Sequence, residues 1–125
     1  MIFINCCCDL MKNCSNYKNG KIYIIRFTND DDHIYIGSTI TSLKLRFSQH
    51  KSCSTRIHKT SIASYINKTY NNDWNNCCIE LLCNYPCATK KQLEKKEYQL
   101  INKYARKNKF VLNIKGNKYV LKKDK

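Results

Sequence analysis

Residues 21–38 constrain this chain more than any other segment. From Lys21 the run KIYIIRF is β-branched and aromatic, the polar stretch TNDDD follows, and HIYIGS comes next. Such residues suit a pleated, half-buried backbone better than a helix. Two such runs around a short polar turn predict a β-hairpin. Side chains alternate along a strand, so Tyr23, Ile25 and Phe27 share one face, and His33, Tyr35 and Gly37 share one face of the partner. A five-residue turn, Thr28 to Asp32, is odd in length and puts both sets on the same side of the sheet. Tyr23 and Tyr35 are thereby expected to lie close together.

The rest of the chain reads as alternating elements. Ser42 is a helix N-cap, and SLKLRFSQHK follows it. Ile62, Ile66 and Tyr70 recur at helical spacing and predict a helix over about 60–71. CCIELLC (77–83) reads as a buried third strand, Thr89 caps a long helix over 90–106, and the apolar FVLNI (110–114) closes the domain. Residues 1–19 have no period and read as an irregular arm, leaving 20–125 as the domain. The expected fold is α+β, a small three-stranded antiparallel sheet flanked by helices in the order β-β-α-α-β-α. A chain of 125 residues suits one such unit.

Charge narrows the function. Lys and Arg total 23 against 9 Asp and Glu, a formal net charge of +14. This excess favours polyanions, meaning nucleic acid or an anionic membrane surface. No apolar run approaches the roughly 20 residues of a membrane span. The start MIFINCCCDL lacks a basic segment, and Asp9 interrupts it, so it does not read as a secretion signal. An intracellular setting, nuclear or cytoplasmic, is the expectation, with the nine cysteines as thiols. Cys83 and Cys87 come nearest to metal-ligand spacing, with no histidine nearby in sequence. Heavy use of Lys, Asn, Ile and Tyr suggests an AT-rich source such as a virus, a protist or a mobile element.

Two helices carry polar residues where apolar ones belong. Leu43, Arg46, Phe47 and His50 fall on one stripe, placing a cation and a histidine among apolar anchors. In the long helix Leu93, Tyr98, Leu100, Ile101 and Tyr104 define the apolar arc, with Glu97 near its centre and Glu94 toward its flank. A carboxylate facing the core is costly unless it is paired or bound to a metal. A salt bridge from Glu97 to Arg46 or a lysine is the plain alternative, as stem burial is for Arg46.

The KIY of Lys21–Ile22–Tyr23, the YIG of Tyr35–Ile36–Gly37, Arg46 on the next helix and Glu97 on a late one together resemble the GIY-YIG nuclease superfamily. The likeness covers about residues 20–116. Lys21 departs from the glycine of the family's name. The resemblance implies a metal-dependent endonuclease cleaving phosphodiester bonds in DNA, including branched or structured forms. Glu97 would hold one Mg²⁺ or Mn²⁺, Arg46 would stabilise charge on the scissile phosphate, and Tyr23 would be the general base. Tyr35 and His50 would orient the water or relay protons. Lys21, Gly37 and Asn113 are candidate substrate contacts, with Gly37 letting the backbone approach the substrate closely, and His58 is a secondary one. Homing nucleases of this superfamily usually carry a separate DNA-reading domain; none is visible here, which leaves either low specificity or a protein partner supplying specificity. A binding module of the same fold that has lost cleavage would explain the charge but not the set of Tyr, Tyr, Arg and Glu. A peripheral membrane protein would need a basic amphipathic helix with exposed aromatics.

Overall fold

The hairpin forms as the residue pattern requires. In the computed structural model, which describes residues 16–53, 61–107 and 110–113, β1 (Lys21–Phe27) pairs antiparallel with β2 (Asp30–Thr39). Tyr23 lies opposite Gly37, and Ile25 opposite Tyr35. The turn differs from the expected five residues. β2 already begins at Asp30, and the register shifts at Arg26/Phe27. Asp30 Oδ1 accepts the backbone N–H of Asp32 at 2.9 Å, which folds the extra residues into a bulge. The parity of the pairing survives, so the Tyr23 and Tyr35 faces still coincide.

The fold class is α+β, with a sheet between helices. The remaining elements are α1 (Leu43–Ser52), α2 (Ser61–Tyr70), β3 (Cys77–Asn84), α3 (Lys90–Arg106) and β4 (Phe110–Val111). Ser42 Oγ accepts the Leu45 N–H, and Thr89 forms a reciprocal capping box with Gln92, so both expected caps are present. To the three antiparallel strands the structure adds a fourth. FVLNI supplies the short β4, which runs parallel to β2 and gives a mixed sheet in the order β3-β1-β2-β4. β3 is an edge strand with Leu81 45% exposed, not the buried strand its apolar run suggests. Apolar content alone does not distinguish an edge from a centre. The expected irregular arm ends in a 3-10 turn (Tyr17–Asn19), whose Tyr17 carbonyl accepts from Gly20 and Cys87. Residues 1–15, His58 and Ile114 lie outside the described residues.

Each face of the sheet has its own core. Ile22, Ile24, Ile34 and Ile36 pack against Leu93, Ile101 and Ala105 of α3. Tyr23, Ile25 and Phe27 pack against Ile62 and Ile66 of α2, with Leu43 and Phe47 of α1 alongside. Each buried isoleucine contributes about 1.5–3 kcal/mol by leaving water. Because β1 is central, both of its faces are covered, which explains its unbroken apolar run.

The edges of β2 position the site. β4 pairs with β2 only at His33 and Ile34. At Ile36 the side-chain amide of Asn113 replaces a neighbouring strand: Oδ1 accepts the Ile36 N–H at 2.9 Å, and Nδ2 donates to the Ile36 carbonyl. Beyond that point, Gly37 to Ile40 line an open cleft.

Candidate active site

The cleft wraps the end of β2, whose edge away from β1 no strand among the described residues pairs with beyond Ile34, and receives side chains from both faces of the sheet. It has a volume of about 660 Å³ and is lined by Tyr23, Tyr35, Arg46 and Gln49 on the α1 side and by Ser38, Glu94 and Glu97 on the α3 side. Odd-numbered residues of β2 point toward α1, and Ser38, with the opposite parity, points toward α3. Groups separated by the whole sheet in a continuous region thus meet at its edge.

Tyr23 is the centre of the α1 side and is fully buried. Its ring lies over the position where Gly37 has no side chain. A Cβ on residue 37 would come within 3.0 Å of Tyr23 Cε1 and closer still to Cζ and Oη. The space that the sequence suggested would admit the substrate is therefore filled by the tyrosine. Gly37→Ala is expected to cost about 1–3 kcal/mol of stability through this overpacking. Urea denaturation would measure it, and an unchanged midpoint would contradict the close fit.

The Tyr23 hydroxyl sits between two partners. Arg46 Nε donates to it at 3.2 Å, and His50 Nε2 lies 2.7 Å away. Burial, helped by the charge of Arg46, pushes His50 down to about 3. The imidazole is therefore neutral, and Nε2 is the acceptor of the phenolic proton, which leaves the ring proton on Nδ1. Burial raises Tyr23 above its ordinary value despite the lowering effect of Arg46. Tyr35 is also raised, chiefly by burial and then by Tyr23. Its ring lies edge-on to His50 at 5.3 Å and 6.4 Å from that of Tyr23. Gln49 Oε1 accepts from Arg46 Nη1 at 3.1 Å. The guanidinium is thus held at Nε and Nη1, and Arg46 lines the cleft.

On the α3 side, Glu97 is half-buried and Glu94 is exposed, the order the helical arc predicts. Ser38 Oγ donates to Glu97 Oε1 at 2.5 Å. No salt bridge of Glu97 occurs among the described residues, and Glu94 instead approaches Lys90 at 3.9 Å. Burial raises Glu97 above the usual carboxylate range, and nearby Glu94 adds to this; the Ser38 hydrogen bond and Arg46 oppose it. A half-buried carboxylate that holds its proton too tightly is suited to a cation. Among the described residues no group of three or more His, Cys, Asp or Glu could hold a metal. This donor set does not fit zinc, whose sites take three or four protein ligands from Cys, His and carboxylates. It does fit a hard divalent ion that keeps most of its water shell.

The structure brings together Tyr23, Tyr35, Gly37, Arg46, His50 and Glu97. Two other expected contacts are engaged elsewhere. Lys21 Nζ donates to the carbonyls of Asn19 and Thr41, at 3.1 and 3.0 Å, tying the start of β1 to the loop before α1. Asn113 spends both ends of its amide on Ile36. Sequence reasoning missed Ser38 and Gln49 as members of the site. Strand parity points Ser38 toward α3, and i,i+3 spacing brings Gln49 to Arg46, so both were within reach of the pattern. Cys83 and Cys87, the nearest pair to ligand spacing, are free thiols packed against the Ile22 core.

The paired tyrosines, the helix arginine and the late glutamate are set around one strand edge and line one cleft. The model of the GIY-YIG catalytic domain matches residues 19–110, and the chain belongs to this family, whose members are nucleases acting on nucleic acid and generally dependent on a divalent metal. Neither the comparison with curated proteins nor that with solved structures gives a match. No helix among the described residues is long and apolar enough to cross a membrane.

Proposed function

We propose that the protein is a Mg²⁺- or Mn²⁺-dependent endonuclease that hydrolyses phosphodiester bonds in DNA. One observation carries the reading: the Tyr23 hydroxyl lies between Arg46 and a neutral His50, and Glu97 faces the same cleft from the other side of β2.

The chemistry follows from these contacts. Burial keeps the Tyr23 phenol protonated, so a standing phenolate is not its working form. Tyr23 instead acts as a relay. It takes the proton of the attacking water while passing its own to His50 Nε2, 2.7 Å away. The negative charge of a phosphate held by Arg46 in the cleft would make the imidazolium less costly than it is in the free protein. Arg46, steadied by Gln49, presents its fork to the scissile phosphate and stabilises charge developing on its oxygens. Glu97, oriented by Ser38, would hold the divalent ion, which supplies Lewis-acid stabilisation to the phosphate and the leaving 3′-oxygen. Tyr35 packs edge-on to His50 and keeps the ring directed at Tyr23. Lys21 and Asn113 serve by positioning: the one anchors β1, and the other holds the edge of β2 on which Gly37 and Ser38 sit. The +14 charge supports attraction to the substrate backbone.

The test is incubation of the purified chain with plasmid, branched and single-stranded DNA, with Mg²⁺ and with a chelator. Cleavage in the Mg²⁺ lanes that the chelator abolishes is expected. Binding without cleavage of any DNA, with either Mg²⁺ or Mn²⁺, would leave a nucleic-acid-binding module of the same fold.

A further inference from the structure

The catalytic groups gather at one end of β2, and the other end carries a feature that the cleavage chemistry does not use. Three rings from three elements stack there. The His33 imidazole lies on Phe110 of β4, with centroids 4.9 Å apart and 19° between planes, and on Tyr65 of α2 at 5.3 Å and 21°. Tyr65 in turn packs edge-on to Phe27, which is 3% exposed, so the stack is rooted in the core. We propose that His33 is a positioning residue: its ring clasps β4 to the sheet, and through β4 it holds the active-site end of β2 in place. The inference rests on the nuclease reading and adds to it a residue outside the cleft.

The shortness of β4 makes such a clasp necessary. β4 has two residues and pairs with β2 only at His33 and Ile34, whereas strands usually run to about five or six. Val111 is buried, and the Leu112 N–H donates to the Ile34 carbonyl at 2.8 Å. Phe110, however, is 57% exposed, so burial does little to fix it, and the flat contact with His33 is what its ring meets. The imidazole is itself oriented. Asp30 Oδ2 lies 2.7 Å from His33 Nδ1, and because an ionised carboxylate only accepts, Nδ1 is the donor. The other oxygen of Asp30 closes the turn bulge through the Asp32 N–H, so one carboxylate sets both the turn and the ring.

Two links carry this clasp to the site. Two residues beyond β4, Asn113 bonds both backbone groups of Ile36. The next two residues are Gly37, whose open side the Tyr23 ring fills, and Ser38, which donates to Glu97. A β4 that comes away from His33 takes Asn113 with it, and the strand edge bearing Gly37 and Ser38 loses its brace. His33 stands four residues from Gly37, about 13 Å along an extended strand. It does not line the cleft, so its loss acts on geometry and not on substrate contact.

The experiment reads backbone amide exchange by NMR alongside steady-state cleavage, in the full chain. His33 is partly exposed, so His33→Ala opens no core cavity and should keep the fold. The Ile36 N–H exchanges only when Asn113 lets go of it. In His33→Ala the Ile36 and Leu112 amides should exchange about 2- to 10-fold faster, the worth of one aromatic contact, while Ile24 of the central strand is unchanged. The kcat should fall by up to about 10²-fold, the cost of an ångström-scale misplacement, with KM for DNA unaltered. His33→Phe keeps a flat ring and should restore both the exchange rates and kcat. Parent-like Ile36 exchange in His33→Ala, with or without a loss of kcat, would overturn the clasp, and so would a His33→Phe protein that behaves like His33→Ala. Failure of the parent to cleave any DNA with Mg²⁺ would instead end the nuclease reading, while the Ile36 exchange rates would still judge the clasp.

Discussion

The Tyr23→Phe protein is expected to fold and bind DNA but to cleave about 10²- to 10⁴-fold more slowly, the usual contribution of a positioned proton-transfer group. The substitution removes one hydroxyl and keeps the ring that fills the space over Gly37. The hydroxyl accepts from Arg46 Nε and bonds His50 Nε2, and its loss removes one hydrogen bond from the fully buried imidazole. A stability cost of about 1–3 kcal/mol follows. Single-turnover cleavage with metal saturating, together with DNA affinity and thermal unfolding, separates these effects. Cleavage near the parent rate would remove Tyr23 from proton transfer and shift the role of base to another group. The relay makes a second demand. His50→Ala should also slow cleavage, and combining it with Tyr23→Phe should add little, because one proton path cannot be broken twice.

Glu97→Ala and Glu97→Gln should abolish measurable cleavage while leaving DNA affinity roughly intact, because they remove the metal's anchor and not the phosphate contacts. Glu94→Ala should be mild, since Glu94 is exposed and turned toward Lys90. Equal loss in both would mean that the wrong carboxylate had been chosen. A readout independent of activity comes from linkage. An ion bound only by the folded chain adds about 1.4 kcal/mol at ten times its dissociation constant. Mg²⁺ should therefore raise the melting temperature of the parent by several degrees, and that of the Glu97→Gln protein hardly at all.

The pH dependence has a definite sign. Burial raises the folded pKa of Glu97 above its unfolded value, so the native chain binds this proton more tightly than the unfolded one. Stability from the neutral carboxyl is full below the unfolded pKa and is lost as pH rises through the folded pKa. Without metal, Glu97→Gln should therefore be more stable than the parent at neutral pH, and the gain should vanish in acid. Because proton and metal compete for the same oxygens, cleavage should fall on the acid side at a pH above that of an ordinary carboxylate. A stability difference with no pH dependence would contradict the burial argument.

Local sequence determined much of this protein. The β-branched runs and the odd parity of the turn set Tyr23 and Tyr35 on one face, and Ser42 and Thr89 set the starts of α1 and α3. Helical spacing put Arg46 with His50 and chose Glu97 over Glu94. These are short-range consequences of a period of two in strands and 3.6 in helices. What only the tertiary structure decided lies between elements. β3 is an edge strand, and β4 completes a mixed sheet, because pairing partners are set by packing of the whole chain. Gly37 accommodates Tyr23, Asn113 stands in for a missing strand, and Lys21 ties two loops together, all through contacts across the fold. Above all, Glu97 belongs to one face of the sheet and Tyr23 to the other. They share a cleft because β4 stops at Val111, where the chain turns toward Asn113, and among the described residues no strand pairs with the β4 side of β2 beyond Ile34. No local pattern encodes where a sheet edge stays open, since that depends on how far the last strand can pair before the helices close over it.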